Sequence, residues 1–241
     1  MRRHGLWIVL TAWAAACSAL RPPPPSLGTT DPTEALRIVR EREHDVRTLR
    51  ATFEATTRRG EQLVQTVDGV LLVRKPDDFR LRLTLPLGLT AFDYLRRADG
   101  VRVVYPLDRQ DGGTRREALL PFAEEDLAPI FLRGAQAFPG DCAGALSSDE
   151  LVVDCRDSSG ALLRDIVIDP DSGRIREERS YRDGELRLWL RNDDYRPTGT
   201  ADLPYRIILA YPGTTLQVEI HIHRYEVNPV LGERLFQPVN G

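Results

Sequence analysis

Across its 241 residues the chain has no Gly-x-Ser-x-Gly elbow, no phosphate-cradling glycine loop, no His-Glu-x-x-His helix and no dinucleotide fingerprint. The usual routes to hydrolysis, phosphoryl transfer and hydride transfer are therefore missing, and neither an enzyme activity nor a cofactor is expected. Lysine is almost absent: of 33 basic residues only Lys75 is a lysine, and 36 acids outnumber the bases. Nucleic-acid binding needs a clustered positive surface, and this balance does not provide one. No apolar run approaches the roughly 20 residues that cross a bilayer as a helix. The run from Leu6 to Ala16 has eleven. No internal repeat is visible, and cysteine occurs only at positions 17, 142 and 155.

What is present begins at the N-terminus. Arg2, Arg3 and His4 precede the apolar run, which ends in Ala14-Ala15-Ala16-Cys17. A basic start, a short apolar segment and small residues read as a secretory signal. The small-small-Cys ending resembles a bacterial lipobox, with Ala14 where leucine is commoner, and implies cleavage before Cys17 and diacylation of its sulfur. An ordinary secretory signal with an incidental cysteine is the alternative. Ser18, rather than aspartate, follows the cysteine and implies passage to the outer membrane under enterobacterial-type sorting. The chain then divides into a signal (1–16), a lipidated tether (17–30) and one domain (31–241). Pro22 to Pro25 favour an extended polyproline stalk in the tether. Losing the signal removes two arginines and no acid, so the net charge moves from −3 to −5 (31 bases, 36 acids). With Cys17 assigned to lipid, Cys142 and Cys155 remain, 13 positions apart in an exported chain. An oxidising compartment favours a disulfide between them, worth roughly 3 kcal/mol in the chain-entropy model.

The folded part is organised around Phe79 to Pro106. Phe79, Leu81, Leu83 and Leu85 alternate with Arg80, Arg82 and Thr84, the period of a strand with one face on a core and one in water. Leu85-Pro86-Leu87-Gly88 then makes a turn with an apolar tip, where polar residues are usual. Leu89 to Leu95 and Val101 to Tyr105 continue the meander through a turn at Ala98-Asp99-Gly100. Upstream, Ala51 to Arg58 and Gln62 to Lys75 read as strands, with a bulge or bend expected at Gly69. Downstream, Leu151 to Cys155, Ala161 to Asp169, Arg174 to Tyr181, Glu185 to Arg191, Leu203 to Tyr211 and Leu216 to Tyr225 read as strands joined by glycine-bearing turns.

Two helices are expected. Asp31-Pro32-Thr33-Glu34 has the form of a capped start in which Glu34 reaches back. Leu36, Val39, Val46, Leu49 and Phe53 then recur at near-helical spacing, giving about five amphipathic turns. Glu124-Glu125-Asp126 precedes Leu127, Ile130, Phe131 and Leu132, and acids suit a helix N-terminus. On the last strand His221 and His223 share a face with Glu219, a spacing that zinc or copper can use. A solvent-facing polar row gives the same pattern, and no metal is expected. Asp169 to Gly173 lacks the ligand spacing of a calcium loop and reads as a turn.

Lipobox, tether, amphipathic helix and antiparallel meander together make a layout that resembles the LolA/LolB superfamily of lipoprotein carriers and receptors. The sharpest local match is Phe79-Arg80-Leu81-Arg82-Leu83-Thr84-Leu85-Pro86-Leu87-Gly88, which is similar to the LolB strand running into its Pro-Leu-Gly loop. The C-terminal part, Tyr225-Glu226-Val227-Asn228-Pro229 and Leu235-Phe236, looks more like LolA. The resemblance implies a mainly β fold, an incomplete antiparallel β-barrel with helices lidding an apolar cavity. It implies that Leu87 protrudes and helps pass cargo to the membrane. Leu36, Val39, Phe79, Leu81, Leu83, Leu127, Ile130 and Phe131 become the cavity and lid candidates. The function it implies is a lipid-anchored protein on the periplasmic face of the outer membrane. Such a protein would take acylated lipoproteins, or lipid, from a periplasmic carrier and insert them. An accessory or structural lipoprotein of an envelope machine, binding a protein or lipid partner on the same fold, is the alternative.

Overall fold

A computed structural model describes residues 27–29, 31–86, 88–105, 141–147 and 150–237. Its first element is a helix, α1 (Pro32–His44). Asp31 caps it: Oδ1 accepts from the Thr33 amide at 3.0 Å, and the Asp31 carbonyl accepts from Ala35 at 2.9 Å. Glu34 does not reach back to the cap. Its carboxylate instead accepts from Arg37 at 2.7 and 2.6 Å. The helix has 13 residues rather than the expected five turns. Asn228 holds the break, donating to the Asp45 carbonyl at 3.0 Å and accepting from the Arg47 amide at 2.8 Å. Leu49 and Phe53 fit the helical spacing, but the β-branched Thr48, Thr52, Thr56 and Thr57 among them favour an extended chain. Both fall on strand β1 (Thr48–Arg59).

Eleven more strands follow among the described residues. They are β2 (Gln62–Arg74), β3 (Asp78–Thr84), β4 (Thr90–Arg97), β5 (Gly100–Val104), β6 (Asp141–Ser147) and β7 (Glu150–Arg156). The rest are β8 (Leu162–Ile168), β9 (Ile175–Arg182), β10 (Glu185–Thr198), β11 (Ala201–Ala210) and β12 (Leu216–Val227). All form one sheet, ordered β5-β4-β3-β2-β1-β12-β11-β10-β9-β8-β7-β6. Strands adjacent in the chain are adjacent in space, apart from β5 and β6, which are the two edges. The first strand pairs with the last, Leu49 opposite Val227 through Arg59 opposite Leu216. The result is an open antiparallel barrel, split between β5 and β6.

Strand β6 carries small residues, Ala143, Gly144 and Ala145, and shows no alternation of large apolar side chains. Its pairing places Cys142 opposite Cys155, and the two form a disulfide. Gly144 has a steric reason: a Cβ there would lie 2.0 Å from the Pro32 Cβ, so only glycine admits the start of α1. Gly69 has a comparable one. The expected bulge is absent, since Phe53, Gly69 and Leu83 pair in regular register across β1, β2 and β3. A Cβ on Gly69 would lie 2.1 Å from the Phe53 ring, so the glycine is a seat for that ring.

The inner face holds two apolar clusters. Ala35, Leu36 and Val39 of α1 pack with Leu27 on Leu151, Val153, Ile166, Ile168 and Ile175. The larger cluster lines β1–β4 and β10–β12 and includes Phe53, Phe79, Leu81, Leu83, Phe92 and Leu209. On the outer face, beyond β12, Leu231 and Phe236 fold back over Leu72 and Leu95. Phe236 ends a short 3₁₀ helix, Glu233–Phe236, and is fully buried.

That strap corrects the reading of Arg80 as a water-facing residue. Arg80 is 7 % exposed, donating to Asp93 at 2.8 and 2.6 Å and to the carbonyls of Leu235 and Gln237 at 2.7 and 3.0 Å. Arg82 adds a 3.0 Å bond to the same carboxylate. Burial pushes the Asp93 carboxyl up, but the bonds and charge of both arginines outweigh it and hold it below the ordinary range.

Candidate functional site

Alternation builds the inner face. On β3 every second side chain, Phe79, Leu81 and Leu83, points into the larger cluster, and the register carries the pattern sideways. Phe79 has Val73 as its neighbour on β2, and Leu83 has Phe92 as its neighbour on β4. Phe79 meets Tyr94 edge-on at 5.6 Å between ring centroids, and Phe92 meets Tyr105 at 5.3 Å. Val103 on edge strand β5 and Tyr105 just past its end, both half-buried, carry the apolar lining to the open side of the barrel. Leu85, also half-buried, extends it to the rim.

Leu81, Leu83, Phe92, Leu209, Val218 and Ile220 have no exposed surface at all. The centre of the face is therefore fully covered, while Leu85, Val103 and Tyr105 at its margin are only half-buried. Polarity enters the face at Glu178 and Arg164, which face inward beside Ile166 and Leu190, 3.9 Å apart. Sequence reading missed this pair because one residue, Arg176, is extra on β9 and inverts which side chains face inward. Ile168 pairs with Ile175, but Val167 pairs with Glu177.

Leu36 and Val39 lie on the smaller cluster, while Phe79, Leu81 and Leu83 lie on the larger. The structure therefore divides these candidates between two parts of the inner face. Leu127, Ile130, Phe131 and the acids before them lie outside the described residues, as does Leu87. The rest of its turn is described: Pro86, Gly88 and Leu89 are exposed, and the Leu85 amide donates to the Leu89 carbonyl at 2.8 Å.

His221 and His223 are exposed on the outer face. Glu219 is engaged by Arg206 at 2.5 Å and His221 at 3.1 Å. Burial pushes its carboxyl up, but those partners hold it below the ordinary range. Among the described residues no group of three or more His, Cys, Asp or Glu side chains is placed to hold a metal. An outer-face groove of about 600 Å³ lies between Glu177, Arg179, Trp189, Tyr211 and Gln217. Its charged groups are already engaged, since Glu177 accepts from Trp189 at 3.0 Å and from Arg179 at 2.8 Å.

An open antiparallel barrel with a helix packed inside one half is the LolA/LolB-like fold, and solved structures agree. The chain is similar to a putative outer membrane lipoprotein-sorting protein domain from Vibrio parahaemolyticus, with a TM-score of 0.62 and 16% identity over 88% of this chain and 95% of that one. It is similar to a LolA superfamily protein from Nitrosomonas europaea, with a TM-score of 0.60 and 14% identity over 84% and 97% of the two chains. A DUF1329 family protein from Desulfovibrio piger gives 0.59 and 13% over 86% and 98%. Likeness at such identity carries the fold alone. No family model and no curated protein matches the sequence.

Proposed function

We propose that this chain holds the acyl chains of a lipoprotein against the inner face of its barrel and helps insert that lipoprotein into the outer membrane. The carrying observation is the larger cluster of the inner face, an aromatic and aliphatic lining that reaches the open edge at β5. An acyl chain gains about 0.8 kcal/mol per buried CH₂ in such a lining, much as it does in a bilayer. Handover between the two then needs only a small difference in affinity, with no ATP and no catalytic group. Entry requires the covered centre of the face to become accessible from its half-buried margin. The edge at β5 is the natural side for entry, because that strand is paired on one side only. In this reading Cys17 is the lipidated mature N-terminus, 17–30 is the tether, and the domain works at the periplasmic face with a periplasmic carrier as donor.

Leu87 is the delivery residue of the reading. In a transfer assay from a carrier to vesicles, the mature chain is expected to move an acylated lipoprotein into the lipid. If Leu87 protrudes as this proposal has it, Leu87→Glu is expected to melt within about 0.5 kcal/mol of the parent. It should bind cargo yet fail to deliver it, because a carboxylate resists hydrocarbon. Normal delivery with a normal melt would remove Leu87 from the mechanism, and a collapsed melt would make it a core residue. A second reading, an accessory lipoprotein docking on an envelope protein, is favoured by one observation, the complete burial of the residues at the centre of the inner face. A parent chain that neither binds nor transfers acylated cargo would select it.

A further inference from the structure

The end of the barrel that carries the Leu85–Leu89 turn also carries exposed apolar residues at the tip of the β1–β2 hairpin. Strand β2 outruns its neighbour: the last β2–β3 pair is Asp68 with Thr84, while β2 begins at Gln62, six residues earlier (68 − 62). At about 3.3 Å per residue the β1–β2 hairpin overhangs β3 by roughly 20 Å. A register shift at its tip pairs Arg58 with Leu63 and Thr57 with Gln65, which leaves Val64 as the extra residue. Leu63 and Val64 are consequently both exposed, by 54% and 45%, and Leu89 on the adjacent turn is 53% exposed. The other large exposed apolar side chains among the described residues, Val101, Val230 and Leu235, sit apart on an edge strand, a loop and the 3₁₀ helix. Arg58 and Arg59 flank the tip, exposed and without an ion-pair partner among the described residues, with Glu61 as the acid between the strands.

We propose that the β1–β2 hairpin tip is a membrane-contact element, with Leu63 and Val64 entering the acyl boundary of an anionic bilayer while Arg58 and Arg59 engage its phosphates. The hairpin outruns β3 on one side and is flanked to its tip by β12 on the other, and exposed apolar side chains at that tip add nothing to a core. Placed beside guanidinium groups, they match the two layers a bilayer surface offers, charged headgroups above hydrocarbon. The purpose of this contact rests on the delivery reading, but the contact itself is measured without cargo.

The mature chain carries Trp189 as its one tryptophan once Trp7 and Trp13 leave with the signal, so added tryptophans report directly. Leu63→Trp and, separately, Val230→Trp are bound to vesicles of brominated phosphatidylglycerol and of brominated phosphatidylcholine, with the Trp189 signal subtracted. Val230 is the control. It is fully exposed and follows Asn228, which binds the start of β1 at the opposite end of the barrel. The Leu63→Trp emission is expected to lose most of its intensity on phosphatidylglycerol, while that of Val230→Trp is unchanged. Adding Arg58→Gln and Arg59→Gln should weaken the engagement by about fivefold for each arginine. No quenching at position 63, or equal quenching at both positions, overturns the proposal. Cargo transfer by a chain whose Leu63→Trp is unquenched would sink the hairpin contact and leave the delivery reading standing. Quenching without any transfer would do the reverse.

Discussion

Asp93→Ala is expected to destabilise the protein by about 3–5 kcal/mol, the usual cost of leaving one partner of a buried ion pair alone. The Arg80 and Asp93 side chains are 8% and 10% exposed, so the stranded guanidinium has little water to turn to. Arg80 also holds the carbonyls of Leu235 and Gln237, so it ties β3 and β4 to the C-terminal strap. Loosening it should expose Phe236, Leu72 and Leu95 together. Replacing both partners with apolar residues, Arg80→Met with Asp93→Leu, should cost much less than the single change, because no charge is then left buried. Denaturant unfolding of the single and double variants separates the two outcomes. A single variant as stable as the parent would show that the strap is held by apolar packing alone.

The same pair fixes an acid dependence. The folded Asp93 carboxyl lies below its ordinary value, so near that value the unfolded chain binds more protons than the folded one. Its contribution is complete above the unfolded pKa of about 3.9 and is lost as pH falls through the lower folded value. Stability measured from neutral pH down to about 5 should not register Asp93. Below that, Asp93→Asn should flatten the loss.

Gly69→Ala is the second large effect expected. The added methyl group would sit 2.1 Å from the Phe53 ring, which is 1% exposed and held by regular pairing of Phe53 with Gly69 itself. Overpacking a core typically costs about 1–3 kcal/mol, and a contact this short on a trapped ring belongs at the upper end or beyond. Phe53→Leu in the same chain should recover part of the loss, so the two changes should be strongly non-additive. Additive losses would mean that the ring does not lie over residue 69.

Most of the sheet was legible because alternation has a period of two and nothing else produces it. Phe79, Leu81 and Leu83 on β3, and Val218, Ile220 and Ile222 on β12, lie where that period puts them. Reading failed where the local pattern is shared or silent. Val46, Leu49 and Phe53 fit a helix as well as a strand, and a contact 180 residues away, Asn228 to Thr48, marks the boundary. Strand β6 is made visible only by its partner, through Cys142 and Cys155. Arg80 looked wet because its partners are Asp93 on β4 and a strap more than 150 residues later. The last residues of β10 were missed because Asn192-Asp193-Asp194 is polar and Asp194 has φ 52°, interrupting the pairing. The apolar inner face at Phe79, Leu81 and Leu83 was readable. The inward turn of Glu178 and the exposure of Leu63 and Val64 were not, since each follows from one extra residue in a strand.

The most direct test of an acyl-holding inner face is photo-crosslinking. A benzophenone analogue of phenylalanine replaces Tyr105, which is half-buried against the larger cluster beside the open edge, and in a second chain it replaces Trp189 on the outer face. Each chain is offered a lipoprotein with labelled acyl chains and irradiated. If the inner face holds the acyl chains, the label attaches at position 105 and not at 189. Attachment at 189 alone, or none at 105 while cargo is bound, would contradict it.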